Sequence, residues 1–385
     1  MLRNIYLKEM KDCFRDRRTL LLTVFLPIVM MTGLIFFYEN MVSDGEGEVY
    51  KLALDESVTS EEKALFSSLE NIEIIESTNP EEAFRNGEAQ AALLLEENFI
   101  STVEAGGSAS VTVVGDSFSQ NSANLMNIVM NTLSGFEKSI ISERLQVEGM
   151  NPELVQPFTI EQKEVSEEDP NIGLIAMLIP MMLALSIGIG AGPAASDLFA
   201  GEKEKKTMEA LLMTPVNRNT LLFSKWLTIS TIGSITGLIT LIVVAVEIQF
   251  LTENLKNAVS FGDDMGLIIG IAVVISIIYA MFIASLLMLT SIIGKTIKES
   301  QSYSTPIMML AMFPVMIIAS VGINELSFHH FAIPILNLFS LLKELLFGII
   351  NYEHLLITLA SNLICMVIVF VIGRILFLKD KWVMN

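Results

Sequence analysis

Gly294, Lys295 and Thr296 spell the end of a phosphate-cradling loop, G-x-x-x-x-G-K-[ST], in which backbone amides and a lysine hold nucleotide phosphates. The first glycine of that loop would stand at 289, which is Leu289, and the triplet follows an apolar run rather than a strand. No nucleotide site is expected in this chain, so any ATP and Mg2+ that power it are bound by another subunit. His329, His330 and His354 are the only histidines. An adjacent pair on a helix projects in different directions, and no Cys or Asp cluster accompanies it, so zinc ligation is not expected. H-E-x-x-H and G-x-S-x-G are absent. The chain offers no catalytic residue and no cofactor site, and is not expected to be an enzyme.

Two kinds of chemistry remain. Ionisable residues inside apolar stretches would mark an ion path; they are few, Glu247 near the end of one stretch and Lys343 and Glu344 in an interrupted one. Neutral oxygen donors are more plentiful: Ser186, Ser230, Ser234, Thr240, Ser276, Tyr279, Ser285 and Asn362. Such side chains more often tie helices together than coordinate ions, and no metal-binding set can be named from them. The second kind is recognition. Residues 201–215 read GEKEKKTMEALLMTP, with six charges in the first nine positions, between two of the most apolar stretches of the chain. A helix beginning at Glu202 would place Met208, Leu211 and Leu212 on one face and pair Glu202 with Lys206 at i, i+4; Pro215 would end it at Thr214. Lysines at a membrane edge are explained by snorkelling. Glu202, Glu204 and Glu209 are not, and they point to a partner protein.

The elements that position these residues follow from composition. Of 385 residues 52% are hydrophobic and 17% charged, well below the quarter usual for soluble proteins. Six windows satisfy the roughly 20 apolar residues that a bilayer-crossing helix needs: 20–38, 172–195, 227–250, 266–294, 304–323 and 354–378. A seventh, 331–350, is interrupted by Pro334, Asn337, Lys343 and Glu344 and reads as a re-entrant or interfacial pair of short helices. The first window is longer than a signal-peptide core and is followed by no small-residue cleavage site, so it reads as a retained anchor. Before it, Leu2, Ile5, Tyr6, Met10, Cys13 and Phe14 make the apolar face of an amphipathic helix at the membrane surface, somewhat spoiled by Glu9. Cys13 precedes the first window and Cys365 lies inside the last, so no disulfide staples the segment between the first two windows, and both read as small hydrophobes.

Net charge is −19, and residues 39–171 alone hold 27 acidic against 6 basic residues, a net of −21. Of the 24 Lys and Arg, 16 fall in segments 1–18, 196–225, 295–303 and the tail, against 8 in the other loops. This places both termini and the charged connector in the cytoplasm and residues 39–171 outside. Within that outer segment EVYKLALDES, IEIIEST, AQAALLLEE, ASVTVVGDS and FTIEQKEV read as strands, and SEEKALFSSLEN, NPEEAFRNGE and EENFISTVEA as helices, two of them with a Ser or Asn cap. A long helical stretch, 122–149, follows. The expected fold is a polytopic α-helical membrane protein with six transmembrane helices and an extracytoplasmic α/β or α+β domain between helices 1 and 2. Its divisions are 1–38 (elbow helix and first span), 39–171 (outer domain) and 172–385 (the other five spans, with the connector at about 201–214 and the interrupted segment at about 331–350).

The connector resembles the segment with which permeases of the ABC-2 exporter family dock on their ATP-binding subunit, through Glu202, Glu204, Thr207, Glu209, Leu211, Leu212, Thr214 and Pro215. Lys8-Glu9 and the run Asp16 to Thr19, with Pro27, resemble the family's N-terminal elbow. The resemblance covers essentially the whole chain, and the N-terminal sixty residues look most like the sodium-extruding bacterial members. It implies a cell-membrane exporter permease moving Na+ outward, a stand-alone cytoplasmic ABC ATPase that binds ATP and Mg2+, and a permease homodimer in lipid. Coupling would run through Glu202, Glu204, Thr207, Met208, Glu209, Leu211 and Leu212. A drug, peptide or lipid is the alternative cargo, and a membrane-anchored receptor or scaffold the alternative class. Nucleic acid is not an expected partner.

Overall fold

The computed structural model describes residues 1–47, 49–67, 69, 71–117, 119–151, 170–250, 252 and 265–379. They divide into one unit made of Met1–Val42 with Glu167–Asn385, and a second made of Ser43–Ser166. The chain opens with α1 (Leu2–Arg15), then bends at Asp16. The Asp16 carboxylate accepts from Thr19 N at 3.1 Å and Thr19 Oγ1 at 2.7 Å. It thus caps α2 (Arg17–Leu20), which passes through a π-helical turn, Leu21–Phe25, into α3 (Leu26–Gly47).

In the second unit, β1 (Tyr50–Asp55) is parallel to both β2 (Ile72–Ser77) and β3 (Ala91–Leu95), and β4 (Val111–Val114) runs antiparallel to β3. The order is β2-β1-β3-β4. Central strands of such a sheet are covered on both faces, and the period of two decides what covers each. Leu52, Leu54 and Leu93 pack with Phe66, Leu125 and Val129 on one face; Ala53, Ala83 and Ala92 make the thinner core of the other. The helices are α4 (Ser60–Ser67), α5 (Pro80–Arg85), α6 (Phe99–Glu104) and α7 (Gln120–Val147). Asn79 Oδ1 accepts from Glu82 N at 3.3 Å, capping α5, whose first residue is Pro80. For α4 the cap is Thr59, not Ser60: Thr59 Oγ1 accepts from Glu62 N while Glu62 accepts from Thr59 N at 2.8 Å. The four strands and the helices fall where sequence patterning puts them. FTIEQKEV, at 158–165, lies outside the described residues.

Among the described residues of the first unit, six helices are long and apolar enough to cross a membrane: Leu21–Asn40, Ile175–Glu204, Arg218–Phe250, Met265–Ile293, Ile297–Ala319 and Tyr352–Phe377. Its elements are α8 (Pro170–Ser196), a π-helical turn Asp197–Gly201, α9 (Glu202–Glu204), α10 (Thr207–Leu212), α11 (Arg218–Phe250) and α12 (Met265–Ile293). Then come α13 (Ile297–Leu310), α14 (Phe313–Ala319), α15 (Phe328–Ala332), α16 (Leu336–Leu346) and α17 (Tyr352–Phe377). The fifth stretch starts earlier than the expected 304 and is two helices: the first ends at Leu310, four residues before Pro314, which has no N–H for the Leu310 carbonyl and stands in the first turn of the second. In the interrupted segment, 331–350, lie the end of α15 and the whole of α16, whose residues 336–345 are buried throughout.

Small residues let α8, α11 and α12 approach closely. A Cβ on Gly190 would stand 2.5 Å from Thr236 Oγ1, and one on Gly237 would stand 3.1 Å from Ile187. Most hydroxyls in these helices donate to the carbonyl one turn back. Ser230, Ser234, Thr240, Ser276 and Ser285 all do so, which satisfies their hydrogens within their own helices.

Candidate functional site

The connector is not one helix. Lys206 has a φ of +56°, in the left-handed region, and splits it into α9 and α10. The expected Glu202–Lys206 pair does not form. Instead Glu202 Oε1 receives Lys225 Nζ at 2.6 Å, from the second turn of α11. Lys225 is wholly buried; its ammonium also reaches Glu9 Oε1 at 3.3 Å and lies 5.8 Å from the Phe199 ring centroid. A lysine at 0% exposure is tolerated only when paired, and here two carboxylates from two different elements share it. Glu9 interrupts the apolar face of α1 for this reason. Alongside, Tyr6 Oη and Thr231 Oγ1 are 3.0 Å apart, fixing α1 along α11. Cys13, on the same buried face of α1, is pushed up to about 12 by burial and then by the carboxylates of Glu9 and Asp197.

The other charges of the connector are spent in the same way. Lys203 Nζ donates to Ile292 O at 2.6 Å, at the carbonyl end of α12, where the helix dipole favours a cation. Glu204 Oε2 accepts from Ile297 N at 2.9 Å, at the amide end of α13, where it favours an anion. Lys205 pairs with Asp197 at 2.8 Å on the surface. Thr207 Oγ1 donates to Glu202 O across the break. Met208 is 1% exposed and belongs to the membrane core, and Leu211 packs half-buried against it. Of the residues expected to contact a partner, Glu209 and Thr207 are exposed, Thr207 with its hydroxyl given to Glu202 O; Glu204 is exposed but bonded to Ile297 N, Glu202 and Met208 face this chain, and the side chain of Leu212 lies outside the described residues. The outward surface is completed by Ala210, Met213, Thr214 and Pro215, of which Met213 is 89% exposed.

The decoy triplet has a structural explanation. Thr296 Oγ1 accepts from Glu299 N at 3.1 Å, and Glu299 accepts from Lys295 N, so Thr296 is the cap of α13. A Cβ on Gly294 would meet Ser300 N at 2.8 Å. His329 and His330 lie beside Ser327 at the start of α15, and among the described residues no cluster of His, Cys, Asp and Glu has the makings of a metal site. His354 Nδ1 and Glu344 Oε1 are 2.7 Å apart. Lys343 Nζ donates to Ile318 O and Val321 O. Glu247 bonds Thr32, joining the first and third stretches.

Sequence reasoning missed Lys225 and underrated Glu9, which are separated by 216 residues. The one available signal was a lysine seven residues into an otherwise apolar helix, matched by an acid on an otherwise apolar face. The geometry describes a junction in which α1, α9, α11, α12 and α13 meet beneath a small exposed face on α10. The sequence model of the ABC-2 family transporter proteins matches residues 3–382. Over 385 residues the chain is 39% identical to the ABC transporter permease protein NatB of Bacillus subtilis (strain 168), with 100% of both chains covered. The chain belongs to the ABC-2 transporter family and is a multi-pass membrane permease subunit.

Proposed function

We propose that this permease exports Na+ with energy from a separate cytoplasmic ABC ATPase that binds ATP and Mg2+, and that it works as a homodimer in the cell membrane. The reading of the cargo is carried by the end-to-end likeness to NatB, taken with the resemblance to sodium-extruding members. Both termini are cytoplasmic in this reading and the sheet-bearing unit lies outside; the basic residues support it, 16 against 8. Expelling one Na+ against about 100 mV and a tenfold gradient requires roughly 2.3 plus 1.4 kcal/mol, well within the reach of ATP hydrolysis.

The ATPase rests on the exposed face of α10, around Glu209 and Met213. A push there is not absorbed locally, because α9 is tied to α11 and α1 through Glu202, Lys225 and Glu9, and to α12 and α13 through Lys203 and Glu204. Charge-assisted bonds of this kind are short and directional, so α9 and α10 act as the end of a lever gripping four helices. Inverted vesicles holding permease and ATPase should accumulate 22Na+ on ATP addition. A tag at position 110 should be labelled in intact cells, and labelling only after permeabilisation overturns the orientation.

A second reading has one observation behind it. An apolar cavity of about 100 Å³, lined by Ile179, Leu241, Val244, Ile248, Ile268 and Leu342, opens among α8, α11, α12 and α16. It suits an aliphatic chain. Vesicles that move an amphiphile on ATP addition but no 22Na+ decide for that cargo.

A further inference from the structure

The interface between α16 and α17 contains a row of polar side chains that the junction does not use. On α17, His354, Thr358 and Asn362 follow at i, i+4 and i+8 and share one face. Across from them on α16 are Glu344 and Asn337, and the pairs are fixed at both ends. Glu344 Oε1 meets His354 Nδ1 at 2.7 Å, and Asn362 Nδ2 donates to Asn337 Oδ1 at 3.1 Å and to Thr358 O. Glu344, Asn337, Thr358 and Asn362 are at most 4% exposed. Four of their atoms have no hydrogen-bond partner: Glu344 Oε2, Thr358 Oγ1, Asn362 Oδ1 and Asn337 Nδ2.

Buried polar atoms are nearly always bonded, and in a membrane body there is little water to compensate. Other atoms of the described residues share this condition, but no other helix carries two of them. Here two facing helices carry two each. Ser340, in the same row, differs in having acceptors for its hydrogen, Leu336 O and His330 O. The side chains are held in place by their neighbours. His354 is stacked on Phe331, centroids 3.8 Å apart, and Asn337 takes the Asn362 amide hydrogen so that the Asn362 oxygen is left over.

Three of the four orphaned atoms are oxygens, one of them on a carboxylate. Hard cations take oxygen ligands, and softer transition metals want nitrogen or sulfur, which the row provides only through His354. One carboxylate balances one positive charge. A divalent ion would leave a net charge buried in a low dielectric, at a high desolvation cost. α16 is itself a short helix buried on all sides between interruptions, the setting in which discontinuous membrane helices form ion sites.

We propose that the α16–α17 interface binds a monovalent alkali cation, with Thr358 Oγ1 and Asn362 Oδ1 as its protein oxygens, Glu344 as the carboxylate that balances its charge from farther along the row, and Asn337 and His354 as positioning residues. Thr358 and Asn362 stand one turn apart on one face of α17, and Glu344 supplies the counter-charge from the facing helix. The choice of Na+ as the ion rests on the export reading above; the site rests on the orphaned atoms.

The test is equilibrium binding of 22Na+ to the purified full-length permease without ATPase, in choline chloride at constant ionic strength. Wild type should bind saturably. Thr358→Val and Asn362→Leu keep the shapes and remove the oxygens; each should lower affinity at least tenfold, and Thr358→Ser should retain it. Melting curves and gel filtration in choline chloride report folding separately from binding. Wild type that binds no 22Na+, while the assembled transporter still exports it, overturns the site and leaves the export reading standing. Equal binding by wild type, Thr358→Val and Asn362→Leu also overturns it and places the ion elsewhere. Binding that depends on Thr358 and Asn362 in a transporter that moves no 22Na+ upholds the site and removes the export reading.

Discussion

The junction at Lys225 and the interface at Asn362 are both polar, both buried, and both built from residues that an apolar chain is expected to avoid, yet they are finished differently. At the junction every charged side chain has a charged or dipolar partner, and one atom, Glu202 Oε2, is left over: Lys225 has Glu9 and Glu202, Lys203 has the carbonyl end of α12, and Glu204 has the amide end of α13. Between α16 and α17, three of the four side chains that form the two pairs, Glu344, Asn337 and Asn362, still leave an atom over, as does Thr358 beside them. A closed network holds helices at fixed distances, while an open one is complete only when something else is bound. On this contrast the junction is a mechanical part and the interface a ligand site.

The sharpest way to break the contrast is to open the closed network. Lys225→Met leaves the carboxylates of Glu9 and Glu202 facing each other in an apolar setting, and breaking a buried pair in this way typically costs about 3–5 kcal/mol. The expected outcome is little folded permease by fluorescence-detected gel filtration. The triple change Glu9→Gln, Lys225→Met, Glu202→Gln removes all three charges together and should recover abundance without recovering ATP-driven transport. If the triple variant transports normally, the three charges carry no motion and the lever account fails.

Next in size is the partner face. Met213 and Glu209 are exposed and bonded to nothing that the membrane body needs, so Met213→Asp should leave the melting temperature unchanged. It should reduce ATPase co-purification by about a hundredfold, the 2–3 kcal/mol typical of an interface hot spot. Glu204→Ala should do the reverse, lowering stability by about 1 kcal/mol through the lost cap on α13 with a smaller effect on docking. Equal docking losses from the two would return Glu204 to the partner surface.

The seam gives a stability effect of opposite sign. With no cation present, replacing an orphaned hydroxyl by a methyl group removes a desolvation penalty of about 1–3 kcal/mol. Thr358→Val should therefore melt higher than wild type in choline chloride and lose that advantage in NaCl. A lower melting temperature in both salts would mean that Thr358 Oγ1 has a structural partner after all.

How much of this was legible in the sequence depends on distance along the chain. The spans and the four strands are written in local composition and period; the first, fourth and sixth spans were placed within two residues, while the second ends nine residues later than expected, at Glu204, and the third begins nine residues earlier, at Arg218. The fifth stretch, read as 304–323, begins at Ile297, since a polar first turn capped by Thr296 does not look like membrane helix. Residue types along GEKEKKTME pointed to a partner, but periodicity cannot show that Lys206 breaks the helix, and the break turns Glu202 and Met208 inward. Lys225 and Glu9 were out of reach because pairing across 216 residues leaves no periodic trace. Asn362 was visible as a neutral oxygen donor; that it shares a face with Thr358 and His354 could have been counted, but that Asn337 faces it could not.

The smallest expected effect concerns Cys13, which lines the closed network without joining it. Burial, with help from Glu9 and Asp197, raises its thiol from 9.0 to about 12. In the unfolded chain the thiol ionises near its ordinary value. Between the two values the unfolded state therefore holds fewer protons than the folded one, and stability falls as pH rises. The contribution is intact below pH 9 and declines through the window up to about 12. At pH 10, one unit into that window, the loss is at most about 1.4 kcal/mol, one pKa unit being worth 1.36 kcal/mol. Cys13→Ala should flatten this part of the alkaline limb in melting curves from pH 8 to 10, and wild-type Cys13 should resist maleimide at pH 8 until the protein is denatured, since the thiolate is the reacting form. Rapid labelling of Cys13 in the folded permease would mean that α1 lifts away from α11, and with it Glu9 from Lys225, so that the junction is open for part of the time and the contrast with the α16–α17 interface is one of degree.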